Sequence, residues 1–297
     1  MVEVDVLKDS EQMGIKAELS RLSKEELIDK FIKLSEAKKA QEDFILNISH
    51  DLRSPLNIIL STLQCYKDEY KDIGKGNKCQ GHIESIKRNG YKILKLVNNL
   101  IDTTKLEKKH YNIKRENLDI INLIEWNISS IDKYAKQKNI ALVFDTNVEE
   151  CIMAIDPEAI DRIIMNLISN AIKFSKQGSN IYINTWKSIN ILTISIRDEG
   201  MGIPKDEQGT IFNRFIQSSK NTRNENSGSG IGLDLVRCLT KAHNGSIELI
   251  SEENSGSEFI IKLPIEVLEY NKIIKNKCLN TTSKVEILQL EFSDIYL

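Results

Sequence analysis

The chain has 297 residues, enough for two separate cores, and its 41 Lys+Arg against 43 Asp+Glu leave a net charge of −2. That balance offers no basic field for nucleic acid or an anionic lipid surface. No apolar run approaches the roughly 18 residues that span a bilayer, and the mixed-charge start lacks the apolar centre of a signal peptide, so the expectation is a soluble, cytoplasmic chain.

Taken in chain order, residues 1–23 form a polar tail. From Leu27 to Tyr66 apolar residues recur at three- and four-residue steps, through Phe31, Leu34, Phe44, Ile48, Leu52, Leu56, Ile59 and Leu63, which predicts one long amphipathic helix. A polar stretch from Asp68 to Gly81 interrupts it. Ile83, Ile86, Gly90, Ile93, Val97, Leu100 and Thr104 then restore a seven-residue repeat. The pair is a helical hairpin over 24–110. Two helices cannot bury both apolar stripes alone, so a homodimer with a four-helix bundle is the economical arrangement.

The region 111–264 reads differently. A helical pattern runs from Asp119 to Gln137, followed by β-rich ALVF and CIMAI and a helix from Pro157 to Phe174. Strands NIYINTW and NILTISI, a glycine-rich stretch, a helix from Gly232 to His243 and strands SIELI and EFIIKL complete it. This predicts an α+β two-layer sandwich with helices on one face of a mixed sheet. The extension 265–297 alternates apolar and polar residues without a recognisable motif, and an extra strand or a dimer contact is the expectation there. The five cysteines, Cys65, Cys79, Cys151, Cys238 and Cys278, have no CxxC or zinc spacing and read as reduced thiols.

His50 stands in SHDLRSPLN between core-facing Ile48 and Leu52. Two residues along a helix rotate by about 200°, which turns the imidazole away from the bundle core. Pro55 cannot donate to the carbonyl of Asp51, which kinks the helix and frees an acceptor beside the histidine. Asp51 can hold one tautomer or accept a proton, leaving a nucleophilic ring nitrogen, and Arg53 can meet anionic oxygens; both also suit a solvated helix face. FILNISHDLRSPLN resembles the phosphoacceptor motif of the sensor histidine kinases. The resemblance implies autophosphorylation of His50 with Asp51 assisting. It also gives Ser54, one turn further on, the place of a threonine or asparagine that orients the water attacking the partner's aspartyl phosphate. Serine departs from that pattern.

In the second region, DRIIMNLISNAIKFS sets Asn166, Asn170 and Lys173 on one helical face, two amide oxygens for a hard cation such as Mg²⁺ and one ammonium for phosphate. RDEGMGIP ends a strand with Asp198, an acceptor for an adenine amino group, and Gly200 and Gly202 let backbone approach the base; an ordinary turn fits the same residues. GSGIGLDLV places Gly228, Gly230 and Gly232, then Leu233, at a helix start that can hold phosphates. The order of these segments, closed by GSEF, resembles the ATP-binding domain shared by histidine kinases, the Hsp90 chaperones, type II topoisomerases and MutL. IFNRF resembles the phenylalanine box of the kinases, in which Phe212 and Phe215 anchor a lid over ATP. Arg214, Lys220 and Arg223 are either phosphate contacts or solvated loop charges. Ser257 matches a small hydroxyl near the adenine, or serves its strand alone. His243 reads as structural, and His82 and His110 have no partners for chemistry.

The hydrolytic relatives carry a glutamate four residues before the magnesium-binding asparagine; here Asn166 stands in its place, and an amide is no base at neutral pH. The resemblance therefore implies a histidine kinase that moves phosphate from Mg·ATP to His50 and on to a response regulator. An ATPase of the same fold and a non-catalytic dimeric scaffold are the alternatives. Residues 1–22 are too short for a sensor, so the signal is expected from a partner or from a domain absent from this chain.

Overall fold

The computed structural model describes residues 23–32, 35, 52–63, 76–107, 113–213, 216, 230–269, 288, 291 and 292. The chain divides into two compact units, residues 1–50 and residues 51–297. In the first unit helix α1 covers 24–32. Ser23 and Glu26 start it with a capping box: the Glu26 amide donates to the Ser23 hydroxyl at 3.3 Å, and the Ser23 amide donates to the Glu26 carboxylate at 2.8 Å.

The second unit opens with α2, residues 52–63, and α3, Gly76–Glu107. Apolar residues at three- and four-residue steps stay at the surface on both: Leu56, Leu60 and Leu63 on α2, and Leu94, Val97 and Ile101 on α3. Opposite that face α3 buries polar residues. Asn99 and Thr103 are covered, and Asp102 forms an ion pair with Arg162.

Beyond α3 the order is β1 (Glu116–Asp119), α4 (Ile120–Gln137), β2 (Ala141–Thr146), β3 (Ile152–Ile155), α5 (Pro157–Phe174), β4 (Asn180–Lys187), β5 (Ile191–Asp198), α6 (Lys205–Gln208), α7 (Gly232–Ala242), β6 (Ser246–Glu252) and β7 (Gly256–Pro264). The main sheet runs β2-β4-β5-β7-β6, with β2 parallel to β4 and every other pair antiparallel. β1 and β3 form a separate antiparallel ribbon. Strand alternation turns Ile181 and Ile183, Leu192, Ile194 and Ile196, and Phe259, Ile261 and Leu263 inward, where α4, α5 and α7 cover them. The mixed sheet with helices on one face is the layer arrangement expected.

α5 is the central helix, and both its ends are pinned. Asp156 caps its start by accepting from the amides of Glu158 and Ala159 at 3.1 and 3.2 Å, and Pro157 takes the first helical position, where no amide is needed. At its other end the ammonium of Lys138 reaches the carbonyls of Ile172 and Lys173, both at 3.1 Å, putting positive charge on the negative end of the helix. Burial pushes that lysine below its ordinary pKa.

His243 locks α7 to α5. Its Nδ1 lies 2.9 Å from the Leu239 carbonyl and so carries the proton; Nε2 accepts from the Asp156 amide at 3.1 Å. α7 ends at Ala242, one residue before the expected end, because His243 takes the cap position.

After β7 the chain follows the ribbon: the Ala154 amide donates to Glu266 at 2.7 Å, and Asn117 exchanges two hydrogen bonds with Leu268, each 2.8 Å. Leu288 and Phe292 are buried in the core of the α+β region.

Burial pushes the His243 pKa below its ordinary value. Above that value the ring is neutral whether the chain is folded or not. Below it the unfolded chain takes a proton that the fold resists, so stability falls as the pH drops. Urea unfolding from pH 7 to 5 should therefore show a slope of up to about 1.4 kcal/mol per pH unit from this one group. His243→Gln should be less stable at pH 7 and should lose that part of the slope; parallel profiles for the two proteins would remove the assignment.

Candidate functional site

Asn166 is almost fully buried on α5. Its amide nitrogen donates to the Arg162 carbonyl at 2.9 Å, which fixes the amide orientation and leaves Oδ1 as the acceptor. That oxygen faces the first residue of α7: a Cβ added to Gly232 would lie 2.7 Å from it. Sequence spacing had put Asn166 on one helix and Gly232 on another, and the fold brings them into contact. Asn170 and Lys173 follow on the same helix, each half-buried, with the Lys173 ammonium 5.2 Å from the Phe174 ring centre.

β5 delivers Asp198 to the C-terminal end of α5. Its Oδ1 accepts from the amides of Gly200 at 2.8 Å and Ser257 at 3.3 Å. Burial raises its pKa, and the two amide hydrogen bonds act in the opposite direction. The second oxygen, Oδ2, takes no hydrogen bond from a described residue, so a donor from outside the chain can reach the only acceptor left on this carboxylate. A Cβ at Gly200 would lie 2.5 Å from the Phe174 carbonyl oxygen, and one at Gly202 (φ +64°) would lie 1.9 Å from that of Glu252. Both glycines are therefore required by contact, and Gly202 by its backbone angle as well.

Ser257 supports Asp198 through its backbone. Its hydroxyl sits 3.0 Å from that of Ser251, which donates to the Gly256 carbonyl and accepts from the Ile203 amide, each at 2.9 Å. The strand role is what the geometry displays for Ser257. Gly230 has φ +68° immediately before α7, and Ile231 makes no side-chain cap, so the helix start is left to other acceptors. Leu233 is half-buried against the core. Asp234, buried in the first turn, pairs with Arg237 at 2.6 Å, and Arg237 also reaches Asn213 at 3.5 Å. Phe212 packs edge-on against Phe259 with ring centres 6.2 Å apart, a core contact that also fits an anchoring role.

Ser54 is exposed on α2. His50 and Asp51, Gly228, and Arg214, Phe215, Lys220 and Arg223 lie outside the described residues. Three contributors escaped sequence reasoning. Gly256 has φ +95°, and a Cβ there would be 2.0 Å from the Asp198 carbonyl oxygen; its signal was the turn-forming NSGS before alternating EFIIKL. Ser251 had no signal beyond strand alternation. Arg162 had none, since its partners on α3, Asp102 and Asn99, are remote in sequence.

The site thus has a buried carboxylate with one open oxygen, a helix start with spare amides, and an asparagine face between them. That suits a purine at one end and phosphates at the other. Among the described residues no cluster of three or more His, Cys, Asp or Glu could hold a metal ion. The hard ligands on hand are the amide oxygens of Asn166 and Asn170, and the fixed orientation of Asn166 fits that use.

Comparisons with known proteins divide along the same lines. The family model described as "His Kinase A (phospho-acceptor) domain" matches residues 40–109, and that described as "Histidine kinase-, DNA gyrase B-, and HSP90-like ATPase" matches residues 155–267. Histidine kinase P4 of Formosa agariphila is 32% identical over 77% of this chain, and sensor histidine kinase TmoS of Ectopseudomonas mendocina is 32% identical over 85% of it. The chain spans 17% of the first relative's length and 25% of the second's. The Acinetobacter baumannii histidine kinase AdeS shares the fold with a TM-score of 0.58 at 22% identity, covering 73% of this chain and 98% of its own. Histidine kinase ThkA, solved in complex with response regulator protein TrrA, has a TM-score of 0.57 at 18% identity over 82% of this chain and 68% of that one.

Gly232→Ala should force Asn166 off its position while leaving the rest of the core in place. Calorimetric titration with an ATP analogue should show at least a roughly tenfold loss of affinity, about 1.4 kcal/mol. Unchanged affinity would mean that the Asn166–Gly232 contact lies outside the nucleotide site.

Proposed function

Because the chain belongs to the histidine kinase family, we propose that it autophosphorylates His50 from Mg·ATP and passes the phosphoryl group to an aspartate of a response regulator. The observation that carries this reading is the pairing of an adenine-type acceptor, Asp198 with its open Oδ2, with Asn166 at the position where a hydrolytic site needs a base. In the first step a neutral nitrogen of His50 attacks the γ-phosphorus, the bond to the β–γ bridging oxygen breaks, and ADP leaves. Asp51 takes the proton from the imidazole. In the second step a carboxylate of the partner attacks the phosphohistidine, and His50 is regenerated.

Within the ATP-binding domain, Asp198 would accept from the adenine amino group, with Gly200 and Gly202 giving backbone access and Ser257 holding the carboxylate. Gly228, Gly230, Gly232 and Leu233 would frame the phosphates, and Lys173 would meet them with its charge. Asn166 and Asn170 would hold Mg²⁺, which neutralises phosphate charge when bound. The exposed apolar faces of α2 and α3 support a homodimer, since each offers a seam at coiled-coil spacing. We assign 24–110 to dimerisation and phosphotransfer, 111–264 to ATP binding, 1–23 to an N-terminal tail and 265–297 to a C-terminal extension. Among the described residues no helix is long and apolar enough to cross a membrane. ATP and a response regulator place the work of these domains in the cytoplasm, with the signal arriving from an upstream partner or domain.

Incubation with γ-labelled ATP tests the reading. Acid-labile, base-stable label on the protein is expected; free phosphate without labelled protein would point to an ATPase, and neither to a scaffold. His50→Gln should abolish the label and leave ATP affinity within about twofold, because no residue of the proposed pocket changes.

Ser54→Ala addresses the reverse reaction. The hydroxyl has no partner among the described residues and can hold a water, though without the branching that restricts threonine. The variant should slow dephosphorylation of the purified partner several-fold while His50 labels at the wild-type rate, and equal dephosphorylation rates would exclude a role for Ser54.

A further inference from the structure

The segment after β7 returns to the molecule far from the nucleotide site. Phe292 is fully buried and stacks on Tyr134 of α4 with ring centres 4.7 Å apart and planes inclined by 16°. Leu288 is buried beside it in the core. These apolar anchors fasten the segment to the ATP-binding region. Between them Glu291, only 1% exposed, faces two ways. Its carbonyl accepts from Ser169 of α5 at 3.3 Å and from the Lys95 ammonium of α3 at 2.6 Å, and its carboxylate lies 3.1 Å from the same ammonium. One residue of the returning segment therefore joins α3 to α5.

α3 is held to α5 at a second point. Arg162 pairs with Asp102 and reaches Asn99 at 3.4 Å. Lys95 and Asp102 are two turns apart, roughly 10 Å along the helix. A single contact would leave a pivot. Two contacts at that separation fix both the position and the tilt of α3 on the ATP-binding region. The Glu291–Lys95 pair is shielded from solvent, so separating it exposes two charges whose water shells were lost on pairing.

We propose that the segment carrying Leu288, Glu291 and Phe292 is an intramolecular strap that holds α3 against the ATP-binding domain and brakes autophosphorylation. The proposal rests on the kinase reading above. Delivering a γ-phosphate to a histidine requires the donor to come within about 3–3.5 Å of the acceptor nitrogen, while passing the phosphoryl group on requires that nitrogen to be open to a partner. One rigid placement cannot serve both steps. Contacts that favour the strapped placement and are lost on leaving it add to the barrier. The strap residues lie beyond the matched family region, which ends at residue 267, so the shared domains carry the chemistry and the strap modulates it.

Reversing the charges tests this in the whole chain. Lys95→Glu and Glu291→Lys, made singly and together, are compared for the initial rate of labelling from γ-labelled ATP and, without nucleotide, for hydrogen exchange in α3 between residues 93 and 104. Each single variant should label roughly three- to tenfold faster and exchange faster, and the double variant should return to within about twofold of wild type on both measures. Unchanged or slower labelling in the single variants, or a double variant no closer to wild type than they are, would overturn the brake. If the wild type takes no label while exchange still responds and is restored by the double reversal, the kinase reading fails and the mechanical strap stands. Exchange that ignores the reversals overturns the strap whatever the labelling shows.

Discussion

Three backbone carbonyls, those of Phe174, Asp198 and Glu252, occupy the space where a side chain would begin at Gly200, Gly256 and Gly202. That crowding brings the end of α5, the end of β5 and the β6–β7 turn to one point, and the rest of the site depends on it. With a methyl group at any of the three, the segments would have to separate by an ångström or more to restore normal contact. Asp198 sits at the centre of this convergence. It is buried because the backbones around it meet, and it accepts two amide hydrogen bonds on one oxygen because those backbones have nowhere else to direct them.

The convergence holds only if α5 does not move. Asp156 and Lys138 supply the missing partners at its two ends, and His243 ties its first turn to the last turn of α7. Asn127 of α4 adds a buried hydrogen bond to Asp161 on its flank. Each interaction is modest, but together they leave the helix no unsatisfied terminus and no free rotation. The amide of Asn166, halfway along, is then held against Gly232 by the scaffold instead of by a ligand.

Much of this was readable in the residues. The bounds of α5 follow from Asp-Pro at its start, and β4 and β5 follow from strict alternation of apolar residues, because both signals are local. The same holds for the glycine-to-helix start of α7. What stayed hidden is long-range. The ribbon partner β1, Glu116–Asp119, is too short and polar to announce itself, and it exists because CIMAI needs an edge to pair with. The tie between Arg162 and Asp102 and the return of Phe292 to Tyr134 have no periodic signature. The tail's alternating pattern suggested a strand or a dimer contact, whereas its described residues pack within their own chain. A pattern of apolar residues shows that a surface wants burial; it does not say where.

The identity of residue 166 and that of the acceptor explain one another. Water must lose a proton as it attacks phosphorus, so a hydrolytic site needs a base beside it. An imidazole with an ordinary pKa near 6.5 is mostly neutral at pH 7 and already presents a lone pair. It needs only a group to take the proton that remains on its other nitrogen, and Asp51 travels with it in sequence. A carboxylate at position 166 would add nothing to that transfer. It would place a buried negative charge near the phosphates and activate water whenever the histidine was away, wasting the nucleotide. An asparagine keeps the oxygen ligand, removes the base and binds its own helix through Nδ2. The pocket can then hold ATP until a nucleophile that needs no help arrives.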